Sequence, residues 1–174
     1  MMNLIVTCAR HLEGDTEDEL IDILEELGDS DVKITVSSMS GIITVETKLD
    51  PIEVVRKMKE MLLDEPWSIR YCLRVIPVQK VVETNIDEIE KVISNMSEQI
   101  EEKEAYRILI EKRNSDISSK EIITKIANGM KNKVSLDFPD KIILIEILGI
   151  ITGISILKKS DILSLEKTKR SISD

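Results

Sequence analysis

Lys112, Arg113, Ser118, Ser119 and Lys120 gather cations and hydroxyls at the start of a helix, a combination suited to holding an anion such as a phosphate. Ser118-x-x-Glu121 is a capping-box pattern, and beyond it Ile122, Ile123, Ile126 and Met130 recur at helical spacing. Upstream, Tyr106, Ile108 and Ile110 alternate with Arg107, Leu109 and Glu111, which predicts a strand that leaves into the polar loop from Lys112 to Asp116. A strand end and the cap that follows it must converge. Lys112, Arg113 and Lys120 are therefore expected close together beside the helix N-terminus, outside closed ion pairs. A connection whose lysines and arginines merely solvate the surface would use the same residue types, and the spacing leaves both readings open.

Charge sharpens the first reading. Between Ala105 and Lys133 stand seven Lys/Arg, among them Arg107 and Lys125, against three acids, in a chain of net charge −9. Immediately before, Glu83 to Glu104 holds eight acids against two lysines. A basic stretch this localised on an acidic chain points to a polyanion met at one place. No catalytic constellation accompanies it: His11 is the only histidine, and there is no Walker loop, GxGxxG, HExxH or CxxC. No metal, no cofactor and no enzymatic activity are expected. Cys8 and Cys72 lie in apolar runs without ligand spacing and suit packed thiols in a reducing compartment.

The elements that must position these residues follow from periodicity. Leu4–Cys8 predicts a strand, and Thr16-x-x-Glu19 the cap of a helix with Leu20, Ile23, Leu24 and Leu27 inward and Gly28 at C′. Strands over Val32–Ser37 and Ile42–Glu46 come next. Asp50-Pro51 opens a second helix, and a strand from about Ile69 to Val78 completes βαββαβ, the split-βαβ, ferredoxin-like order. RNA-recognition sheets share that order but stack bases on aromatics of the central strands, and Ile42–Glu46 has none. Residues 1–80 also net −7. Arg70 and Arg74 are expected on one side of the last strand, as RNA contacts or as partners of Asp64, Glu65 and helix acids.

From Thr84-x-x-Asp87 a helix with an acidic outer face is predicted, then the Tyr106 strand, the Ser118 helix, a loop with Phe138-Pro139, and a hairpin bent at Gly149–Gly153. This αβαββ order makes a second α/β unit. The apolar run 142–157 is too short for a membrane helix and is broken by Glu146 and two glycines, so the chain is read as soluble, with no signal peptide at its start. The expected division is 1–80, 81–163 and a polar, frayed tail over 164–174.

The phrases Leu49-Asp50-Pro51, Glu65-Pro66-Trp67-Ser68-Ile69-Arg70-Tyr71, Leu73-Arg74-Val75-Ile76-Pro77, Glu111-Lys112-Arg113 with Ser118-Ser119-Lys120-Glu121, and Glu146-Ile147-Leu148-Gly149 with Thr152-Gly153-Ile154-Ser155 together resemble stand-alone THUMP-domain proteins of the Tan type. The resemblance runs from Asn3 to about Lys169. It implies an α/β (α+β) architecture, a ferredoxin-like domain followed by a THUMP domain that holds the 3′ acceptor end of tRNA. It also implies a cytoplasmic, non-catalytic adaptor for a separate RNA cytidine acetyltransferase that makes N4-acetylcytidine, with no membrane and no DNA partner. By position, Lys112, Arg113 and Lys120 match the basic loop and helix start, and Lys158 and Lys159 the end of the last strand, while Asn114 stands where a histidine or similar group is expected. The alternative is a small regulatory or ligand-binding α/β protein without RNA function.

Overall fold

In the computed structural model, which describes residues 1–173, the first apolar run forms β1 (Leu4–Thr7), with Leu4, Ile5 and Val6 fully buried. α1 (Glu13–Glu26) follows, then β2 (Lys33–Val36), β3 (Ile42–Glu46), α2 (Pro51–Asp64) and β4 (Arg74–Pro77). Neighbouring strands pair antiparallel in the order β2-β3-β1-β4, the split-βαβ arrangement expected from the sequence. Both helices cover one face of the sheet. Leu20, Ile23 and Leu24 of α1 and Val54, Val55, Met58 and Leu62 of α2 close on Leu4, Val6, Ile43, Val45 and Val75.

Local signals succeed where the capping partner is local. The Asp50 carboxylate accepts the N–H groups of Ile52 and Glu53 at 2.9 and 3.3 Å, with Pro51 at the first helical position. Gly28, at φ +115°, closes α1: its N–H donates to the Glu25 carbonyl while the Asp29 N–H donates to Leu24, the two bonds of a Schellman motif. The N-terminus of α1 differs from expectation. The helix begins at Glu13 without a side-chain cap, and Thr16 lies inside it, its hydroxyl donating to the Leu12 carbonyl at 2.7 Å.

Glu19 is not part of a capping box either. Its carboxylate accepts the backbone N–H groups of Arg70, Tyr71 and Cys72 at 2.8, 3.0 and 3.0 Å. Those donors would otherwise serve a strand ladder, which is why β4 begins only at Arg74 and not near Ile69. Ile69 and Cys72, both fully buried, anchor the pinned segment. Burial pushes the Cys72 thiol up, with Glu19 adding to the effect, and both cysteines are free.

The second unit spans Gln79–Lys159. It opens with β5 (Lys80–Glu83), a strand not expected from the sequence, so its order is βαβαββ and not αβαββ. α3 (Ile86–Met96) is capped by Asn85 instead of Thr84. β6 (Tyr106–Arg113), α4 (Ser119–Asn128), β7 (Lys141–Leu148) and β8 (Ile151–Leu157) complete the unit. The sheet order is β5-β8-β7-β6, with β6 and β7 parallel and the other pairs antiparallel. The predicted hairpin is present, but its turn is only Gly149-Ile150, with Gly149 at φ +65° and Leu148 opposite Ile151. α3 and α4 place Ile89, Ile93, Ile122 and Ile126 against Ile143, Ile145, Ile147, Ile154 and Ile156.

The segment expected to fray is structured. After Lys159 the chain returns to the first unit, where β9 (Leu163–Ser164) pairs with β4, Val75 opposite Leu163, and α5 (Leu165–Ser173) lies against α2. Only two of its apolar residues are buried, Leu163 fully and Leu165 to 6% exposure, too little for a periodic signal. Leu165→Ala is therefore expected to lower unfolding free energy by about 2–4 kcal/mol in urea titration, where a frayed 164–174 tail would lose nothing.

Asp29 gives a second test. Its buried carboxylate accepts the Thr47 hydroxyl at 2.6 Å and the N–H groups of Lys48 and Asp31 at 3.0 Å each. The Thr47 bond above all, assisted by those N–H groups, holds its pKa below the ordinary aspartate value. A depressed folded pKa contributes stability above the unfolded pKa and loses it as pH falls through the folded one. Asp29→Asn should cost about 2 kcal/mol at neutral pH and flatten the acid limb of a stability–pH curve.

Candidate nucleic-acid interface

β6 ends at Arg113 because Asn114 takes φ +54°, a left-handed turn that asparagine tolerates better than most residues. Ser118 then caps α4, its hydroxyl oxygen accepting the Glu121 N–H at 3.2 Å. The first backbone N–H groups of a helix lack intrahelical partners, so this end of α4 presents donors to solvent. Lys112 and Lys120 are both exposed beside it. The Lys112 ammonium also donates to the Ile117 carbonyl at 2.9 Å, which folds it toward the helix start. Together these groups can hold a phosphate by charge and by backbone hydrogen bonds.

Arg113 departs from expectation. Its guanidinium donates to Glu146 of β7 at 3.1 Å, and the Glu146 side chain is only 2% exposed. Successive residues of a strand point to opposite faces. Lys112 therefore falls on the α4 side of the sheet and Arg113 on the other, where Glu146 lies. The Lys-Arg pair is contiguous in sequence and divided in space.

Lys125 is also committed elsewhere. Near the end of α4, it ion-pairs with Asp87 and Glu90 of α3, the latter at 3.3 Å, and these bonds raise its pKa. Arg107 stands at the far end of β6, about 20 Å from Arg113 at strand rise, and donates to the Leu136 carbonyl at 3.3 Å. Lys158 and Lys159 belong to that same end. β8 finishes with Leu157 opposite Ile142, and Lys158 lies near Glu104. Apart from Arg113 and Lys125, the predicted contact residues of this unit thus fall into two groups: Lys112, Ser118 and Lys120 at one end of the sheet, and Arg107, Lys158 and Lys159 at the other.

In the first unit, Arg70 is exposed on the loop that Glu19 pins, while Arg74 opens β4 opposite Thr7 and Ser164. They do not share one side of a strand. Among the described residues neither holds an ion pair, so the expected pairing with Asp64 or Glu65 does not form.

Two features at the Arg107 end escape sequence reading. Lys141 pairs with Glu104 at 2.9 Å, a contact across 37 residues; the Glu101 N–H above all, and then Lys141, holds Glu104 below its usual range. Phe138 and Leu136 stand 86% and 65% exposed on the loop between α4 and β7, which carries no periodic signal. Among the described residues no cluster of His, Cys, Asp and Glu is arranged to hold a metal ion, and no helix is long and apolar enough to cross a membrane.

Comparison with known proteins bears on the second unit most directly. Residues 83–157 match the THUMP domain family. No curated protein matches the chain. Among solved structures, PH1313 from Pyrococcus horikoshii Ot3 superposes with a TM-score of 0.65 at 20% identity, over 94% of this chain and 55% of its own. TrmN from Thermus thermophilus gives 0.60 at 12% identity, over 90% and 45%. A 4-thiouridine synthetase, crystallised with RNA and ATP, gives 0.57 at 12% identity, over 94% and 42%. The chain spans about half the length of these proteins. At such identities the likeness is one of fold, and it extends over both units. The segment 83–157, with the cationic helix start at its centre, is a THUMP domain.

Proposed function

We propose that the chain is a non-catalytic tRNA-binding adaptor that presents tRNA to a separate RNA cytidine acetyltransferase for N4-acetylcytidine formation. The observation that carries the RNA part is the open N-terminus of α4, flanked by exposed Lys112 and Lys120, inside a THUMP domain. A related fold crystallised with RNA adds support. The acetyltransferase rests on the resemblance of the sequence phrases to Tan-type proteins. The 3′ acceptor end of tRNA as the segment gripped rests on the same resemblance, and the helix end with its flanking lysines suits one of its phosphates. The adaptor supplies proximity: tethering the tRNA raises the effective concentration of the target cytidine at the partner's active site.

With Arg113 tied to Glu146, Lys112 and Lys120 are the residues to reverse. Lys112→Glu with Lys120→Glu should abolish stimulation of acetylation while leaving the thermal midpoint near that of the parent, since both side chains are exposed. Binding should weaken with salt by about 0.7 log units per log unit for each phosphate contact on a single strand, and the double variant should lose about two contacts' worth of slope. Arg113→Ala behaves differently: withdrawing the cation beside buried Glu146 should lower stability by about 2–3 kcal/mol, reduced from the value for a fully buried pair by Arg113's partial exposure. The check is nucleoside analysis of tRNA incubated with acetyl-CoA and the acetyltransferase, with and without each protein. Acetylcytidine made by this chain alone, or full stimulation by the double variant, would refute the adaptor mechanism.

A further inference from the structure

The first unit holds a groove of about 600 Å³ between α1 and the segment from Met61 to Tyr71. One wall is a single face of α1, with Asp15, Asp18, Asp22 and Glu26 at spacings of three and four. The other carries Asp64 and Glu65 at the end of α2, then Trp67, Arg70 and Tyr71, so a single exposed arginine stands among the carboxylates. Among the described residues none of these six carboxylates holds an ion pair. Elsewhere α1 uses its acids internally: Glu13 accepts the Gly41 N–H at 2.9 Å, and Glu19 the three donors at 70–72. The groove acids face solvent instead.

Trp67, the only tryptophan of the chain, is 65% exposed. It is not loosely displayed. The Ser68 N–H donates to the Glu65 carbonyl at 2.9 Å, its hydroxyl to Met61 at 3.3 Å, and the next residue, Ile69, is fully buried. Leu63, 56% exposed, lies close by in sequence at the end of α2. A large aromatic held in water on a fixed turn is a typical interface anchor, and its ring face attracts guanidinium and ammonium groups. Residues 1–78 hold sixteen acids against eight Lys/Arg, which repels a nucleic acid and draws a cation.

We infer that this groove docks an arginine- or lysine-bearing segment of a partner protein, with cationic side chains between the α1 and α2 carboxylates and an apolar or guanidinium group on Trp67. Carboxylates on both walls favour cations spaced along an extended segment over a single ion. Steering by the acidic wall would speed encounter, and the aromatic would supply the residence time. The surface deepens the adaptor reading by giving it a place for a protein partner, yet it stands on the first unit alone.

Trp67 reports on the groove directly. The probe is a short fluorescein-labelled peptide of alternating Arg and Leu, followed by anisotropy and by Trp67 emission, with spermine, Mg²⁺ and tRNA as competing arms. The expected result is a shift of Trp67 emission on peptide addition. Affinity should fall at least tenfold for Asp18→Asn with Asp22→Asn and for Trp67→Ala, and hold within twofold for Glu98→Gln with Glu102→Gln, acids outside the groove. All these side chains are solvent-exposed, so unchanged thermal midpoints are expected alongside. Absence of a Trp67 response, equal losses in the control variant, or spermine, Mg²⁺ or tRNA acting as well as the peptide would each overturn the proposal. Gel-shift with tRNA on the same variants should be unaffected, so failure of the groove and failure of RNA binding are read separately.

Discussion

The parallel pairing of β6 with β7 is the constraint on which the second unit depends. Eight residues are in register, Tyr106 opposite Lys141 through Arg113 opposite Leu148. Two parallel neighbours cannot be joined by a turn; the chain must travel back the length of the sheet, and α4 is that return path. The N-terminus of α4 is thereby placed at the finishing end of β6 and the 129–140 loop at its starting end. The same constraint brings Lys112 and Lys120 together and keeps Arg107 away from them. A helix start at the carboxyl end of a parallel strand is a consequence of connectivity, and Lys112 and Lys120 flank it.

In the first unit the corresponding constraint is carboxylate chemistry around α1. Glu13, Glu19 and, just past the helix, Asp29 each accept backbone N–H groups from distant segments, Gly41, residues 70–72 and Lys48 respectively, and Asp29 also takes the local N–H of Asp31. Gly41 admits no other residue, since a Cβ there would lie 2.6 Å from the Cys8 carbonyl oxygen. The Gly41 N–H holds Glu13, and the Thr47 hydroxyl holds Asp29, below their ordinary pKa values. Part of the acidity that looks like surface charge is thus internal scaffolding. Asp15, Asp18, Asp22 and Glu26 are left on the exposed face of α1.

The charge division between the units follows. The first unit is strongly acidic, whereas Gln79–Lys159 nearly balances thirteen Lys/Arg against fourteen acids. Within the second unit the balance is local, because α3 acids neutralise Lys125 and Glu146 neutralises Arg113. The cations left exposed at the start of α4 are therefore fewer than a count along the sequence suggests, and better placed.

Sequence alone determined what depends on neighbours a few residues away. The split-βαβ order, the Asp50-Pro51 and Ser118 caps, the Gly28 stop and the β7–β8 hairpin were legible because periodicity, capping and turn formation act within one or two turns of chain. Tertiary structure decided what needs a remote partner. Glu19 could be read as a capping residue until Arg70, 51 positions on, claims its carboxylate, and the strand expected there shortens for the same reason. Arg113 could be read as free until Glu146, 33 positions on, is brought across the ladder. The C-terminal segment is polar enough to pass for a tail, and only the edge of β4 makes it a strand and a helix. Each of these depends on an energy that no local window contains: the cost of leaving a buried donor or charge without its partner, and the gain from burying one leucine at a sheet edge.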